Sequence, residues 1–303
     1  MVVTTTTPTV NIAVVGINGF LGKPVIQGLL SEPFVSKINT PIKLVTTNPD
    51  KRPIESSKVE YIDSKKVSYT EAFKGVDVVI NLGNVPAFPA QDVLDAVIAN
   101  KVKLYIPSQF GCDVNIVDVD FPGLLTAKSE HSAAARKAGV KTVDILTAFF
   151  YDGETFIGFD IPFAKVDENN NIEIVGDENT KVNPTHFKDI GLATAAIATS
   201  SDYSKLPDDI RIYSAEITIG DLLTKYEKKH GVKLNRKYTD AQEFFKTLKE
   251  KHAQNGPDFS NFLGYLVAVL NAGEGKGLIW EKENERELVN PNESLFKWFK
   301  FEI

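Results

Sequence analysis

The stretch that decides the fold is Val10-Asn11-Ile12-Ala13-Val14-Val15-Gly16-Ile17-Asn18-Gly19-Phe20-Leu21-Gly22. Residues Val10–Val15 form an almost continuous apolar run bounded by glycine, the pattern of a strand buried on both faces. Leu21–Leu30 then reads as a helix, stopped by Ser31-Glu32-Pro33. A strand, a glycine turn and a helix N-terminus in that order make a phosphate-binding device. Glycine permits the tight turn and the close approach of a pyrophosphate, whose charge rests on the helix N-terminus. The spacing is GxxGxxG rather than the commoner GxGxxG, and a plain structural turn is the alternative. On the binding reading, Gly16, Asn18, Gly19, Phe20, Leu21 and Gly22 contact the cofactor.

Outward from this stretch the same rhythm repeats. Ile42–Val45, Val59–Ile62, Val76–Leu82, Leu104–Ile106 and Val143–Leu146 are further short apolar runs. Val93, Leu94, Val97 and Ile98 form an apolar stripe at helical spacing, and the Ala-rich stretch Gly123–Ala138 reads as another helix. Regular strand–helix alternation predicts an α/β fold with a doubly wound parallel Rossmann sheet. After Phe150 the rhythm changes. Ile161–Phe163 and Ile172–Val175 flank the polar turn Asp167–Asn171 and read as a hairpin, and Asp189 as the cap of a helix through Thr199. Beyond the short strand Ile210–Tyr213, the chain is mostly helical: Asp221–Lys229, Ala241–Lys251 and Phe259–Asn271. These patterns predict a nucleotide-binding domain of residues 8–153 plus about 183–214. A smaller, interleaved α+β substrate domain takes about 154–182 plus 215–303.

At 303 residues the chain has the length of about two domains. With 43% hydrophobic and 24% charged residues, disordered and low-complexity classes fall away. The formal net charge of −6 argues against nucleic acid as the main partner, since duplex binding needs a basic face. Cys112 is the single cysteine, which rules out an intrachain disulfide; with four His and no HExxH, no metal site is expected. The Thr-rich start has neither a basic nor an apolar region of a secretion signal. Phe259–Leu270 falls short of the roughly 20 apolar residues that span a bilayer. A cytoplasmic protein with a small-molecule substrate and no membrane partner is expected, as a monomer or a homodimer.

The end of the second strand reports on the cofactor. Its run Thr46-Thr47-Asn48-Pro49-Asp50-Lys51-Arg52 has no acid in the first three positions to hold a ribose 2′-hydroxyl. Thr46, Thr47, Asn48, Lys51 and Arg52 can instead surround a 2′-phosphate, which favours NADP(H), while Asp50 keeps NAD open. Asn81, Leu82, Gly83 and Asn84 end the fourth strand over the expected cofactor, with Phe88 placed to cover its nicotinamide half. Short-chain dehydrogenases use a helical Tyr-x-x-x-Lys pair, and the only match, Tyr61…Lys65, falls in and after a strand. Lys128 sits on the helix where that pair belongs, but Leu124 stands four residues before it. Proton chemistry therefore falls to Lys128, alone or with His131 one turn on; a solvated surface lysine is the alternative. Gly111 and Cys112 lie at the C-terminal edge of the fifth strand, where ligands bind in open α/β sheets. No basic neighbour in sequence activates the thiol, so Cys112 reads as a packing residue. Phe149, Phe150 and Tyr151, with Phe156 and Phe159, line the substrate pocket or the core, and His186 stands where the chain re-enters the sheet.

The glycine loop, the run Ile106-Pro107-Ser108-Gln109-Phe110-Gly111-Cys112-Asp113 and Lys128 together resemble the NmrA-like, isoflavone reductase-like family of atypical short-chain dehydrogenases. The second run is similar to that family's Pro-Ser-Glu-Phe-Gly segment, with Gln109 in place of Glu. Ile172–Gly191 and Thr218–Leu248 resemble later segments, so the likeness covers roughly residues 10–250. It implies an NADPH-dependent reductase in which Pro107, Ser108, Gln109 and Phe110 border the cofactor and Lys128 handles the proton. Ala148-Phe149-Phe150 stands where plant reductases of the family carry Asn-Cys-Phe, so a plant phenolic substrate is not implied. An aromatic, enone or quinone-like substrate is expected. The family's NmrA-type regulators, which bind NADP without established turnover, supply the alternative: a redox sensor. An extended epimerase is a weaker reading, disfavoured by the missing helix tyrosine.

Overall fold

The computed structural model describes residues 9–83 and 90–302. Strand β1 (Val10–Val15) lies at the centre of a five-stranded parallel sheet, because its residues alternate between two cores. Ile12 and Val14 enter one apolar cluster, Ala13 and Val15 the other, and all four are at most 2% exposed. The two-residue period of a strand thus produces a sheet covered on both faces. Around it stand β2 (Ile38–Thr46), β3 (Val59–Asp63), β4 (Val78–Asn81) and β5 (Leu104–Ile106), in the order β3-β2-β1-β4-β5. The order reverses between β1 and β4, which makes the C-terminal ends of these two strands the ligand crevice of a doubly wound sheet.

Helix α1 (Gly22–Leu30) packs on one face against α6 (Phe187–Ala198) at a backbone-to-backbone contact. A Cβ on Gly28 would lie 2.2 Å from the Gly191 carbonyl oxygen, and one on Gly191 would lie 2.0 Å from that of Pro24. The opposite face carries α2 (Tyr69–Ala72), α3 (Ala90–Ala99), and α5 (Thr126–Lys137) through Ala135. Helix α4 (Val114–Asp120) precedes α5, and α5 begins later than the Ala-rich pattern predicts. Gly123 holds φ +87°, and the Asp118 carboxylate takes the Leu125 N–H and the Thr126 hydroxyl.

Beyond β6 (Asp144–Leu146) and β7 (Phe149–Tyr151), the expected hairpin is replaced by long-range pairing. Strand β8 (Asn171–Val175) pairs in parallel with β13 (Asn235–Thr239), not with residues 161–163. Ile161 makes only an antiparallel bridge to Ala164. The strand β13 was hidden in sequence because its side chains are mostly exposed and polar. Strands β9 (Lys181–Val182) and β10 (Pro184–His186) lead into α6, whose cap is the His186 Nδ1 accepting from the Lys188 N–H. Asp189 is not the cap; its buried carboxylate accepts from the Ser214 hydroxyl and the Phe299 N–H. Strand β11 (Asp209–Arg211) pairs with β6, and β12 (Ile217–Thr218) leads into α7 (Ile219–His230). Helices α8 (Ala241–Asn255), α9 (Phe262–Asn271) and α10 (Arg286–Val289) follow. A second core forms from β7, β8 and α7–α9, centred on buried Phe121, Tyr151, Tyr265 and Trp280. No helix among the described residues is long and apolar enough to cross a membrane.

The α1–α6 contact leaves no room for a methyl group. Gly191→Ala is expected to lower the unfolding free energy by about 3 kcal/mol. Gly139→Ala, at φ +81° with no neighbour near its Cβ position, is expected to cost about 1 kcal/mol. Urea denaturation of the two variants measures the difference.

Candidate functional site

The glycine turn is shaped by two contacts that only glycine allows. Gly16 holds φ +78°, and a Cβ there would lie 2.5 Å from the Gly83 nitrogen; one on Gly22 would lie 1.7 Å from the Ile17 oxygen. Gly19 is different: its nearest neighbour would be the Gly16 oxygen at 3.7 Å. Protein packing therefore accounts for the first and third glycines but not the middle one, which leaves an open face for a ligand. Helix α1 begins there without a side-chain cap or an acid in its first turn. Of its first N–H groups, Gly22 donates to the Gly19 carbonyl and Val25 to that of Leu21, and Pro24 has none, so the Lys23 N–H and the helix dipole are what this end offers an anion.

Asn18 in this turn donates from Nδ2 to the Thr46 hydroxyl at 2.8 Å, while its buried Oδ1 has no partner among the described residues. Thr46 Oγ1 also accepts from the Asn48 N–H, which folds the end of β2 under the turn. Lys51 Nζ donates to the Asn18 carbonyl at 3.2 Å. The Arg52 guanidinium lies over the Tyr61 ring at 5.0 Å and pairs with the exposed Glu55 carboxylate at 3.7 Å. Lys51 thus borders the turn, and Arg52, the next residue, stands over Tyr61 of β3, both in the loop after β2 that reads a ribose 2′-substituent. The bare Asn18 acceptor, the open Gly19 and the uncapped helix fit a dinucleotide, and Lys51 with Arg52 fits a 2′-phosphate. Phe20, Leu21 and Thr47 belong to the same loops, and Phe20 is 69% exposed on the rim. Tyr61 spends its hydroxyl on the Ile54 carbonyl, away from any proton chemistry.

At the end of β4, Asn81 is fully buried and its Oδ1 accepts the Gly83 N–H at 2.9 Å. Leu82 donates its N–H to Val15. Asn84 and Phe88 lie outside the described residues.

The segment after β5 holds Lys128 in place. Pro107 and Phe110 are buried and Ser108 half-buried, and the Pro107 carbonyl accepts the Gln109 N–H. Gln109, 1% exposed, donates from Nε2 to the Lys128 carbonyl at 2.5 Å and to Ser132 Oγ at 2.7 Å. Ser132 in turn donates to Asp144 Oδ1 at 2.8 Å. Every member of that chain faces an acceptor, so the Gln109 amide must present its NH2 group and leaves Oε1 bare. Burial pushes the Asp144 carboxyl up to about 6, opposed by Arg136 at 3.1 Å.

Lys128 is half-buried on α5. Desolvation lowers its pKa, resisted by Cys112 and Asp144. No hydrogen bond or ion pair to the ammonium exists among the described residues. Burial pushes the neighbouring Cys112 thiol up to about 11 despite the Lys128 charge, so it is neither a thiolate nor a nucleophile at neutral pH. Gly111, at φ +120°, takes the Thr147 hydroxyl on its N–H and gives its carbonyl to the Thr147 and Ala148 N–H groups. This pins the segment to the β6–β7 turn. His131 does not share the Lys128 environment; its Nε2 lies 2.7 Å from the buried Tyr105 hydroxyl.

The remaining pocket candidates form an aromatic group with the C-terminal tail. Phe149 and Tyr151 are 5% and 1% exposed, and Tyr151 packs against Phe156, Phe299 and Phe301. Phe150 contacts Phe187, and the His186 ring stacks on Phe299 at 4.4 Å. A groove of about 270 Å³ between Lys181, Asn271, Glu274 and Lys282 contains none of the sequence-derived residues. No cluster of His, Cys, Asp or Glu among the described residues is arranged to hold a metal. Ser132, Asp144 and Tyr105 were missed in sequence. Only Tyr105 carried a signal, as a phenol inside a three-residue buried strand that must find a partner.

A doubly wound sheet with its glycine turn at the β1–β4 switch point defines a Rossmann-type protein. The model of the NmrA-like family matches residues 8–264, and the chain belongs to that family. It is 30% identical over 195 residues to a phenylcoumaran benzylic ether reductase from Populus trichocarpa, covering 60% of this chain and 61% of that protein. An isoflavone reductase from Glycine max is 24% identical over 302 residues, 91% of each chain. The chain spans about 60% of the length of the curated relatives it matches first. Among solved structures, an isoflavone reductase superposes with a TM-score of 0.63 over 86% of both chains at 21% identity. An NADPH-dependent quinone oxidoreductase from Escherichia coli superposes with a TM-score of 0.62 over 95% of this chain and 96% of that one, at 17% identity. These likenesses show the fold.

The direction of the Gln109–Ser132–Asp144 chain is testable. Gln109→Glu places a second carboxylate on Ser132 and removes the donor to the Lys128 carbonyl. Desolvation and Asp144 raise the new group's folded-state pKa, so the folded state binds more protons than the unfolded one. Stability must then fall as pH rises from about 4 to about 7, reaching a loss of about 2 kcal/mol. Urea unfolding of both proteins across that pH range measures it.

Proposed function

We propose that the protein is an NADP(H)-dependent reductase of a small aromatic, enone or quinone-like substrate, with Lys128 as its proton-handling residue. The observation that carries this reading is the half-buried Lys128, whose ammonium has no hydrogen bond or ion pair among the described residues and stands near Cys112, beside the strand ends where a doubly wound sheet binds its ligand; desolvation lowers its pKa. A lysine kept for structure has a carboxylate; one kept for chemistry is left free to change its charge.

The turn Gly16–Gly22 would hold the pyrophosphate, with Asn18, Lys51 and Arg52 at the adenosine end. The segments Asn81–Gly83 and Pro107–Phe110 would border the other half. Bound there, the nicotinamide supplies or accepts hydride. Lys128, as an ammonium, gives a proton to the substrate oxygen as negative charge gathers on it. Its lowered pKa makes it a stronger acid than a surface lysine and eases reprotonation from solvent. Gln109 holds the Lys128 carbonyl and so fixes the helical turn from which the side chain departs. Support for the substrate class comes from the relatives, whose names are those of reductases of benzylic ethers, isoflavones and quinones. Ala148 lies at φ +47° where the turn meets Gly111, and its methyl leaves this part of the wall without a hydrogen-bonding group.

Calorimetric titration should show NADPH binding at least tenfold tighter than NADH, and Lys51→Ala/Arg52→Ala should erase the difference. NADPH oxidation should appear with one or more members of a panel of enones, quinones and benzylic ethers. Lys128→Ala should then lose about 100-fold or more in kcat. Because the donor must be charged, wild-type kcat should hold at low pH and fall above an apparent pKa lower than the usual lysine value. Binding of NADPH without oxidation by any substrate would point to the sensor instead.

Partial desolvation of an ammonium that has no ion pair among the described residues also costs stability. Lys128→Met should raise the melting temperature by about 2 °C or more while abolishing turnover. Differential scanning calorimetry measures the shift, and a fall would mean that the lysine holds the fold together.

A further inference from the structure

A second line of buried polar groups runs beneath the site, and the chemistry proposed above makes no use of it. The Gly83 N–H donates to Asn81 Oδ1 at 2.9 Å, and Asn81 Nδ2 donates to the Tyr105 hydroxyl at 3.0 Å. That hydroxyl lies 2.7 Å from His131 Nε2. Asn81 and Tyr105 are fully buried and His131 is 8% exposed. The Gly83 donor fixes the Asn81 amide, so its NH2 group faces the phenol, whose oxygen accepts. Burial favours the neutral form of His131, and in the tautomer protonated at Nδ1 its Nε2 takes the phenol's proton, which completes the line.

The two ends of this line matter. Gly83 and Leu82 form the turn on which Gly16 rests, at a separation that excludes even a methyl group. His131 lies on α5 three residues after Lys128. Since the β2 side of the switch point reads the adenosine ribose, the β4 side faces the nicotinamide half of a dinucleotide.

We propose that Tyr105 and His131 are positioning residues. Acting through Asn81, they hold the Leu82–Gly83 turn in the shape that receives the nicotinamide half of the cofactor and tie it to the helix of Lys128. The binding part rests on the cofactor reading above; the ordering of the turn does not. Loss of either group leaves buried partners unsatisfied and frees the turn, whereas the adenosine end depends on the β2 loop.

Two ligands and one cofactor-free measurement test this on the full chain. NADPH spans both halves of the crevice, and adenosine 2′,5′-bisphosphate fills only the adenosine end. Tyr105→Phe and His131→Leu should each weaken NADPH about tenfold, leave the bisphosphate within about twofold, and speed amide exchange of Gly83. His131→Gln, which can still accept the Tyr105 proton, should stay within about threefold of wild type for NADPH. Equal losses for both ligands, with His131→Gln no better than His131→Leu, would show a merely structural role and overturn the proposal. So would unchanged NADPH affinity with unchanged Gly83 exchange. If wild type itself fails to bind NADPH, the cofactor reading falls, and Gly83 exchange alone decides. Faster exchange in Tyr105→Phe and His131→Leu but not in His131→Gln sustains the ordering of the turn; equal exchange in all proteins overturns it.

Discussion

Three contacts in which backbone meets backbone set the geometry of this protein. Gly16 rests on Gly83, Gly22 on Ile17, and Gly28 on Gly191, each with a separation that a Cβ would close to 2.5 Å or less. The first fixes the distance between the ends of β1 and β4. The second tightens the turn that starts α1. The third lets α1 and α6 lie close enough to cover one face of the sheet. All three lie within thirteen positions of one another in sequence, so the chain that makes the crevice is the chain that seats the helix above it. The middle glycine of the turn, Gly19, is the exception: among the described residues the nearest atom to its Cβ position is the Gly16 oxygen at 3.7 Å, so packing there does not require it to lack a side chain.

Around that crevice the polar groups are arranged at a cost. Lys128 is an ammonium without a carboxylate, Asp144 is a carboxyl pushed up to about 6 by burial, and Gln109 and Asn18 each keep a bare buried oxygen. Ion pairs elsewhere behave in the opposite way. Glu227 is held down to about 2 by hydrogen bonds from Lys233, the Leu234 N–H and Arg236, which outweigh the desolvation of its half-buried carboxylate. Both kinds of group are perturbed, so the size of a shift does not separate function from structure. The cause does: at the crevice, desolvation opposes the charged forms; at the β13 surface, partners favour them.

Most of the sheet could be read in sequence because β1, β4, β5 and the second half of β2 are buried on both faces and so carry near-continuous apolar runs, whereas the edge strand β3 has no buried residue. The turn Gly16–Gly22 and the segment Pro107–Asp113 were legible for the same reason, as irregular residues directly after such runs. What escaped reading depends on pairing between distant segments. Asn235–Thr239 has no apolar alternation, since only contact with Asn171–Val175 makes it a strand. Asp189 looks like a helix cap because an acid near an N-terminus ordinarily is one. Its carboxylate instead meets the Phe299 N–H from 110 residues further along, and His186 takes the capping role because its ring is held by Phe299. Lys128 stood out by position on its helix, but nothing in sequence distinguished a partly desolvated ammonium from a fully solvated one. That distinction comes from the burial that tertiary packing imposes, which lowers its pKa while Cys112 and Asp144 oppose the shift.

The C-terminal tail explains how two cores act as one frame. Val289 and Trp298 pack into the sheet's cluster, whereas Phe299 and Phe301 pack into the second one, and adjacent residues of an extended chain point to opposite sides. Arg286 lies between Tyr213 of the second cluster and Trp298 of the first, at 4.6 and 4.8 Å from the two rings. The Phe299 N–H ends on Asp189, in the helix whose Gly191 receives α1. A continuous path of packing and hydrogen bonds therefore joins the tail to α6, α6 to α1, and α1 to the glycine turn. The tail lies beyond residue 264, where the family match ends, yet it completes the contact on which the seat of α1 depends. The shape of the crevice is accordingly a property of the whole chain, with the aromatic residues after Phe149 held from behind by the tail rather than by the sheet.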